Sequence, residues 1–325
     1  MPAFQIRIEG KIIKPTAEAF PMEVVVVDEE GLFCDTANIV FADPLGKIAL
    51  PKLGVKISIA LGYEKDISDF GEYFVDECEM SSDARLTVRC KSIDYKNTLR
   101  KLNTRSFPKG KETNITLEKI VEIIASDYGM TSVCDRYAKS LSFRKVHEKN
   151  ETDMHFLTRL TQSRGCSLKI KENVICILAK GGETASGTKL PVSTFEVGKN
   201  VMSWRYAMQQ SEDYKSVSAV WRSWKTSEDK TVTVGDGEPV YGIPYRFATE
   251  KDAKDAATAK IRVLKSGVET LDMELIGNAM IRAERLAKVV GCREGIDGEW
   301  IIKRAEHKVS RSGYTVSVQC ERLPR

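Results

Sequence analysis

Residues 147–165 read HEKNETDMHFLTRLTQSRG. Three apolar side chains recur there at helical spacing and form an inward stripe: Phe156, Leu157 and Leu160. Thr152 is placed to cap this helix, and Asp153 favours its positive N-terminal end. Gly165 permits the left-handed conformation that ends a helix, while Arg159 remains available for a carboxylate. The segment predicts a structural helix that starts with Thr152 and stops before Gly165.

The region around this segment combines helices and strands. A helix is predicted from Leu117 to Tyr128, with Thr116 as its cap and Gly129 at its end. Alternating apolar residues across 167–179 predict a hairpin after the helix that starts with Thr152, which we call the signature helix. Residues 92–180 are therefore predicted to form an α+β middle domain, a helix-hairpin unit.

Strand patterns dominate both sides of this middle domain. Residues 1–91 alternate between apolar and polar side chains in short runs, which is typical of a small antiparallel β-barrel. The small polar residues of 181–189 predict a linker. Strand patterns then resume, and residues 190–325 are predicted to form a second β-barrel with an inserted helix at 250–264. Residues 285–290 fit either a strand or a helix by periodicity alone.

Composition favours a globular protein without a dedicated nucleic-acid function. The 325 residues include 50 Lys and Arg against 46 Asp and Glu, a net charge of +4. This excess is too small to indicate a nucleic-acid binder on charge alone. Eight scattered cysteines form no C-x-x-C pair, which favours free buried thiols. The N-terminus has the pattern of a strand rather than a signal peptide, so we expect synthesis in a cytoplasm.

The sequence offers no recognisable catalytic constellation. The three histidines, His147, His155 and His307, include no H-E-x-x-H pair. The phosphate-binding glycine motifs and the G-x-S-x-G nucleophile motif are also missing. A pair of carboxylates for glycoside hydrolysis cannot be singled out among 46 acidic residues. We therefore predict no catalytic residue, no metal site and no cofactor.

Two groups of surface-type residues have alternative interpretations. Basic residues surround Phe107-Pro108 in a predicted loop: Arg100, Lys101, Arg105, Lys109 and Lys111. They form either a solvated loop or a contact with an acidic partner or with passing DNA. The tryptophans Trp204, Trp221, Trp224 and Trp300 fall in strand patterns and are predicted to anchor a core or an interface.

The signature segment resembles the E-T-D-x-x-F-L-x-R-L-x-x-x-x-G pattern of the phage late control D family. The C-terminal residues 298–315 are similar to the G-x-W-x-I and H-x-x-x-x-x-G-Y-T patterns of the same family. The resemblance spans most of the chain and favours an extended conformation at 285–290. It identifies as structural or interface positions Glu151, Thr152, Asp153, Phe156, Leu157, Arg159, Leu160, Gly165, Trp300, His307, Gly313 and Tyr314.

That family supplies the baseplate hubs of contractile phage tails, R-type pyocins and related injection systems. The resemblance implies a mainly β tail hub fold, a homotrimer with two tube-like barrels per chain, and no enzyme activity. It also implies the partners: a trimeric spike, tail tube or tube-initiator proteins, the tape-measure protein and the baseplate wedge, with DNA passing through the lumen. The expected location is the virion tail or a tail-like particle, assembled in the host bacterial cytoplasm. The alternatives are a tail-associated peptidoglycan hydrolase and a receptor- or glycan-binding tail protein.

Overall fold

The computed structural model describes residues 1–13, 20–31, 34–92, 99, 101–108, 114–171, 174–179, 192–209, 214–223, 226–247, 249–265 and 269–322. The described part of the chain is mainly β, as predicted, with a few short helices. The predicted linker at 181–189 lies outside the described residues. No helix among the described residues is long and apolar enough to span a membrane.

The elements follow one another along the chain with these bounds. The strands are β1 (Pro2–Ile8), β2 (Lys11–Ile12), β3 (Phe20–Glu29), β4 (Thr36–Ala42), β5 (Lys56–Tyr63), β6 (Asp66–Ser81), β7 (Arg85–Lys91), β8 (Leu102–Phe107), β9 (Ile115–Thr116), β10 (Thr131–Cys134), β11 (Ser142–Phe143), β12 (Val146–Thr152), β13 (Cys166–Lys171), β14 (Val174–Ala179), β15 (Ser193–Glu196), β16 (Val201–Met208), β17 (Ser216–Arg222), β18 (Asp229–Gly235), β19 (Val240–Phe247), β20 (Glu269–Ile276), β21 (Leu286–Val290), β22 (Gly298–Ser310) and β23 (Gly313–Arg322). The helices are α1 (Leu117–Asp127), α2 (Arg136–Ser140), α3 (Asp153–Gln162) and α4 (Glu250–Lys265).

Both β-rich regions of the sequence share one 13-stranded sheet. Its strands lie in the order β16-β20-β23-β22-β3-β4-β7-β6-β5-β1-β2, with β21 attached to β22 and β15 attached to β21. The described strands therefore form an open path, and separate closed barrels are not seen among them. The ambiguous residues 285–290 contain the strand β21, in agreement with the extended conformation that the family resemblance favours.

This sheet consists of two halves with the same strand order, which differ in their outermost pair: β1 runs antiparallel to β5, whereas β15 runs parallel to β21. The first half has the order β3-β4-β7-β6-β5-β1, and the second half has the order β16-β20-β23-β22-β21-β15. Register shifts occur at matching places, between Pro21 and Glu23 in β3 and between Val201 and Ser203 in β16. A second matching pair of shifts lies in the long strands, at Val75/Glu77 in β6 and Ile302/Arg304 in β22. The repeat is visible in the pairing but not in the sequence.

The two halves are joined by antiparallel pairing between β3 and β22, which we call the junction. Residues 23–29 of β3 lie opposite residues 304–310 of β22. Val24 and Val26 are fully buried in the core that the two halves share, as are Ala305 and Val316. Alternating apolar residues on one face of each strand explain this burial, because side chains of a strand point to opposite faces in turn.

The middle region has a separate hydrophobic core. Its buried residues come from α1, α3 and the small sheet β10-β14-β13, with β8, β9, β11 and β12 alongside. Both predicted helices are present, and their caps are as predicted. Thr116 accepts a hydrogen bond from Lys119 N and Thr152 accepts one from His155 N. Gly129 and Gly165 adopt positive φ angles of 65° and 68° at the helix ends.

The prediction that residues after 190 form one barrel with only a helix inserted is wrong for three strands. β17, β18 and β19 form a separate sheet, and α4 packs against it. Their core includes Val217, Ala253 and Ala257, all fully buried. The alanine-rich face of α4 lets the helix approach this small sheet closely. The insertion between β16 and β20 is therefore a compact α/β unit. The sequence analysis missed it because the periodicity of side chains indicates a strand but not the sheet that the strand joins.

Candidate functional site

The signature helix α3 is held against the middle core by its apolar stripe. Phe156 and Leu157 are fully buried, and Leu160 is 4% exposed. The Phe156 ring stacks on Phe107 of β8, with 5.6 Å between the ring centroids. These contacts give the F-L-x-R-L part of the signature a packing role.

A carboxylate clamps the outer side of the same helix. Glu151, at the end of β12, contacts Arg159 Nη2 through Oε1 and His155 Nδ1 through Oε2, both at 2.6 Å. Arg159 also donates to the backbone oxygen of His147 at 3.0 Å. Burial alone would raise the pKa of Glu151, but hydrogen bonds from Arg159 and His155 outweigh it and lower that pKa. Glu151 and Arg159 thus lock α3 onto the preceding strand.

Arg105 forms an internal ion cluster, which corrects its interpretation as a loop contact. Its guanidinium contacts Asp127 Oδ2 and Glu148 Oε2, each at 2.6 Å, and also Asp153 Oδ1. Glu148 and Asp153 are completely buried, and Asp153 Oδ2 accepts a hydrogen bond from Tyr128 OH at 2.7 Å. Burial opposes the charge of Arg105, but the bonds to Glu148 and Asp127 exceed that effect and raise its pKa. Arg105 is therefore engaged by three carboxylates of the middle region.

The other predicted contact residues and the tryptophans are spread over the structure. Lys101 is exposed, while Arg100, Lys109 and Lys111 lie outside the described residues. Trp300 is fully buried and donates from Nε1 to the Ile296 oxygen at 2.9 Å. Trp204 is 38% exposed, Trp221 is half-buried, and Trp224 lies outside the described residues.

The closing motif places a histidine inside the shared core of the large sheet. His307 is fully buried on β22, with Nδ1 2.8 Å from Tyr314 OH and Nε2 2.9 Å from the Ile281 oxygen. The Phe70 ring of the first half meets the imidazole edge-on at 4.6 Å. Burial, assisted by the nearby Arg282 charge, lowers the pKa of His307 to about 3. The imidazole is therefore neutral at physiological pH and acts as a hydrogen-bonded core residue.

Tyr314 and Gly277 form the other side of this cluster. The Tyr314 ring lies where a side chain at position 277 would stand, so only glycine fits there. Gly277 N donates to the Tyr314 oxygen at 2.9 Å, and Tyr63 OH donates to the Gly277 oxygen at 3.1 Å. Gly313 has a φ of 141°, which glycine adopts readily, at the turn between β22 and β23. The G-Y-T pattern thus ties the second half to the first.

Buried ion pairs that the sequence did not reveal connect the three cores. Lys169 of β13 contacts Asp28 of β3 at 2.7 Å and Asp35 at 3.6 Å. Arg164 reaches from the end of α3 to Asp252 of α4 at 2.5 Å and also contacts Asp255. Asp28 follows the run Val24–Val27, and an acid at the end of such a run was the available signal for a buried pair.

The cysteines are all free, as predicted. Burial raises the pKa of Cys90, Cys134 and Cys166 to about 12, which keeps their thiols protonated and poorly reactive. Among the described residues, no group of three or more His, Cys, Asp or Glu is arranged to hold a metal ion. The contacts of Phe156, Glu151 and His307 hold neighbouring elements against one another.

Comparison with known proteins agrees with this structural role. The family described as Phage tail baseplate hub (GPD) matches residues 98–313. A curated relative, the "Probable baseplate hub protein" of Escherichia phage 186, is 25% identical over 98% of this chain and 92% of its own length.

Two solved structures with the same fold are described as tail proteins. The tail protein from Neisseria meningitidis MC58 superposes with a TM-score of 0.72 at 14% identity, over 99% of this chain and 96% of the other. The 43 kDa tail protein of prophage MuSo2 from Shewanella oneidensis gives a TM-score of 0.70 at 15% identity, over 98% of both chains.

The Arg105 cluster generates a stability prediction. Arg105→Met should lower the free energy of unfolding by about 3–5 kcal/mol, because it leaves Glu148 and Asp153 buried without their cation. Lys101→Ala, which removes an exposed charge on the same segment, should change it by no more than about 0.5 kcal/mol. Urea denaturation followed by circular dichroism measures both. Equal stabilities for the two variants would contradict the internal role of Arg105.

His307 generates a pH prediction. Its folded pKa of about 3 lies below the ordinary value of 6.5, so the unfolded chain binds a proton first and low pH favours unfolding. The stability that the neutral, buried His307 contributes is present in full above pH 6.5 and is lost as pH falls towards 3. The stability difference between the wild type and His307→Gln should therefore narrow by roughly 1 kcal/mol per pH unit below pH 6. Denaturation at pH 7.5, 6 and 5 measures it, and a constant difference would show that His307 is not a neutral core residue.

Proposed function

The chain belongs to the phage tail baseplate hub family, and we propose that it forms a homotrimer that joins the six-fold tail tube to the three-fold spike. The baseplate hub assignment rests on the family match and on the curated relatives. The homotrimer and its place between tube and spike go beyond these comparisons.

The repeated plan of the large sheet carries this proposal. Each chain contains two halves with the same strand order and matching register shifts. Three chains would therefore present six similar units to a six-fold tube and keep a true three-fold axis for the spike. Three copies of one chain could thus match both the six-fold tube and the three-fold spike.

The expected environment follows from this position. The neighbours would be the trimeric spike, tail tube or tube-initiator proteins, the tape-measure protein and the baseplate wedge, with DNA crossing the lumen during ejection. The protein would occupy the virion tail or a tail-like particle after assembly in the host bacterial cytoplasm. The residues of both motifs would orient strands and helices, and we assign no bond-making role to any of them.

The alternative functions have less support. A glycan-binding surface would require tryptophans grouped on the outside. Trp300 is buried in the core and Trp204 lies on the edge strand β16, so these two do not form such a group. A peptidoglycan hydrolase would require two carboxylates across an open cleft, whereas Glu148 and Asp153 are buried against Arg105 and Glu151 is paired with Arg159 on the outer side of α3.

Solution mass and spike binding test the proposal. Multi-angle light scattering should give three chain masses, because exposed sheet edges and apolar side chains are covered in the trimer. The purified trimer should retain the spike protein of the same particle in a pull-down, while an unrelated trimeric β-protein serves as the control bait. A chain that stays monomeric at high concentration and does not bind the spike would contradict the proposed function.

A further inference from the structure

The large sheet has two edges that are unpaired among the described strands. β16 is the end strand of the sheet and pairs only with β20. The last part of β6, residues 76–81, pairs with β7 on one side and with no described strand on the other. We call these the β16 edge and the β6 edge. Unpaired strand edges favour pairing with another chain.

These two edges are the counterparts of the two strands that form the junction. In the matching strand orders of the halves, β16 corresponds to β3 and β6 corresponds to β22. The register shifts align Trp204 with Val24 in the first pair and Met80 with His307 in the second. The junction therefore shows how a β16-type strand and a β6-type strand would pair.

The backbone just before the long strands supports this correspondence. Gly54 N donates to the Val75 oxygen, and Glu284 N donates to the Ile302 oxygen, at equivalent positions beside β6 and β22. Gly54 and Glu284 both have positive φ angles, 83° and 66°. The two long strands are thus prepared in the same way, but only β22 has a further strand on its open side.

We propose that the β16 edge of one copy pairs antiparallel with the β6 edge of the next copy, in the register of the junction. Tyr206 would lie opposite Met80, and Met208 opposite Cys78. This inference rests on the proposed homotrimer, and it specifies the strands that form the interface between its copies.

Exposure of apolar side chains favours the pairing on the β16 side. At the junction Val24 is fully buried and Asp28 is 6% exposed. Their counterparts Trp204 and Met208 are 38% and 68% exposed. The β16 edge therefore presents large apolar groups at positions whose equivalents are covered within the chain.

The β6 side has the complementary exposure. Met80 is 51% exposed, whereas its counterpart His307 is fully buried. Cys78 is half-buried, whereas its counterpart Ala305 is fully buried. Met80 and Cys78 would become covered when a strand pairs along the β6 edge, as His307 and Ala305 are covered by β3.

The loop after β4 gains a role from the same pairing. At the junction, Ala283 N donates to Asp28 Oδ2 at 3.1 Å. The counterparts of these residues are Leu53 and Met208, which are 66% and 68% exposed. Between two copies, an apolar contact of Leu53 with Met208 would stand at the position that the Ala283–Asp28 hydrogen bond occupies at the junction. The two side chains would cover each other from solvent.

Two different edges form this contact, so it is heterologous and repeats head to tail. If each junction, within or between chains, turns the sheet by about 60°, six halves from three chains close a ring. The closed ring leaves neither the β16 edge nor the β6 edge unpaired. A chain with equivalent junctions of both kinds therefore stops growing at three copies.

Engineered disulfides test the register. Directly opposite Cα atoms in antiparallel strands are about 4.5–5.5 Å apart, which a disulfide can span. Met208→Cys should therefore crosslink to the native Cys78 of the next copy under mild oxidation, and most of the chain should shift to the covalent trimer on a non-reducing gel. The matched control Arg205→Cys lies on the same strand but opposite Ser81, and should not crosslink. Adding Cys78→Ser to Met208→Cys should abolish the shift.

A second pair guards against low reactivity of the half-buried Cys78. The double variant Met80→Cys/Tyr206→Cys should also form a covalent trimer, and each single variant should not. Light scattering on the reduced variants separates the two levels of the proposal. A trimer that fails to crosslink through either pair overturns the edge pairing and leaves the homotrimer standing. A persistent monomer overturns both.

Discussion

The antiparallel pairing of β3 with β22 is the interaction on which the rest of the structure depends. It joins residues that lie 275 to 287 positions apart in the chain and makes one sheet and one core from the two halves. Val24 and Val26 lie directly opposite Val309 and His307 in that core. Without this pairing each half would expose an edge and an apolar face, and the three-way contact of His307, Tyr314 and Phe70 would have no basis.

Charged side chains position the smaller units on this sheet. Lys169 binds Asp28 at the end of β3, and Arg164 binds Asp252 and Asp255 of α4, so both cations come from the segment that follows the signature helix. Such buried pairs add little net stability, because desolvation offsets the attraction. These pairs instead favour one orientation of the units, since any arrangement that leaves a buried cation without its carboxylate is strongly unfavourable. The middle region and the inserted α/β unit are thereby held in one orientation relative to the large sheet.

Local patterns allowed accurate prediction of single elements. The helices around Ile120 and Phe156 begin at the predicted caps, and the helix predicted at 250–264 spans Glu250–Lys265. Arg105 was misread because a basic residue in a basic segment looks solvated, and the carboxylates that surround it come from residues 127, 148 and 153. The separate sheet β17-β18-β19 was missed for a related reason, since alternation of side chains gives a strand but not its neighbours.

The sequence by itself determined the mainly β character, the signature helix with its Thr152 cap, the free cysteines and the family resemblance, because these depend on residues close together in the chain or on fixed motifs. Only the tertiary structure decided that the two β regions share one sheet, that His307 is neutral and buried, and that the halves repeat one plan. Strand pairing is made by backbone groups that every residue carries, and the pKa of a side chain is set by what surrounds it in space. Neither the pairing of strands nor the pKa of a buried side chain can therefore be predicted from local sequence patterns.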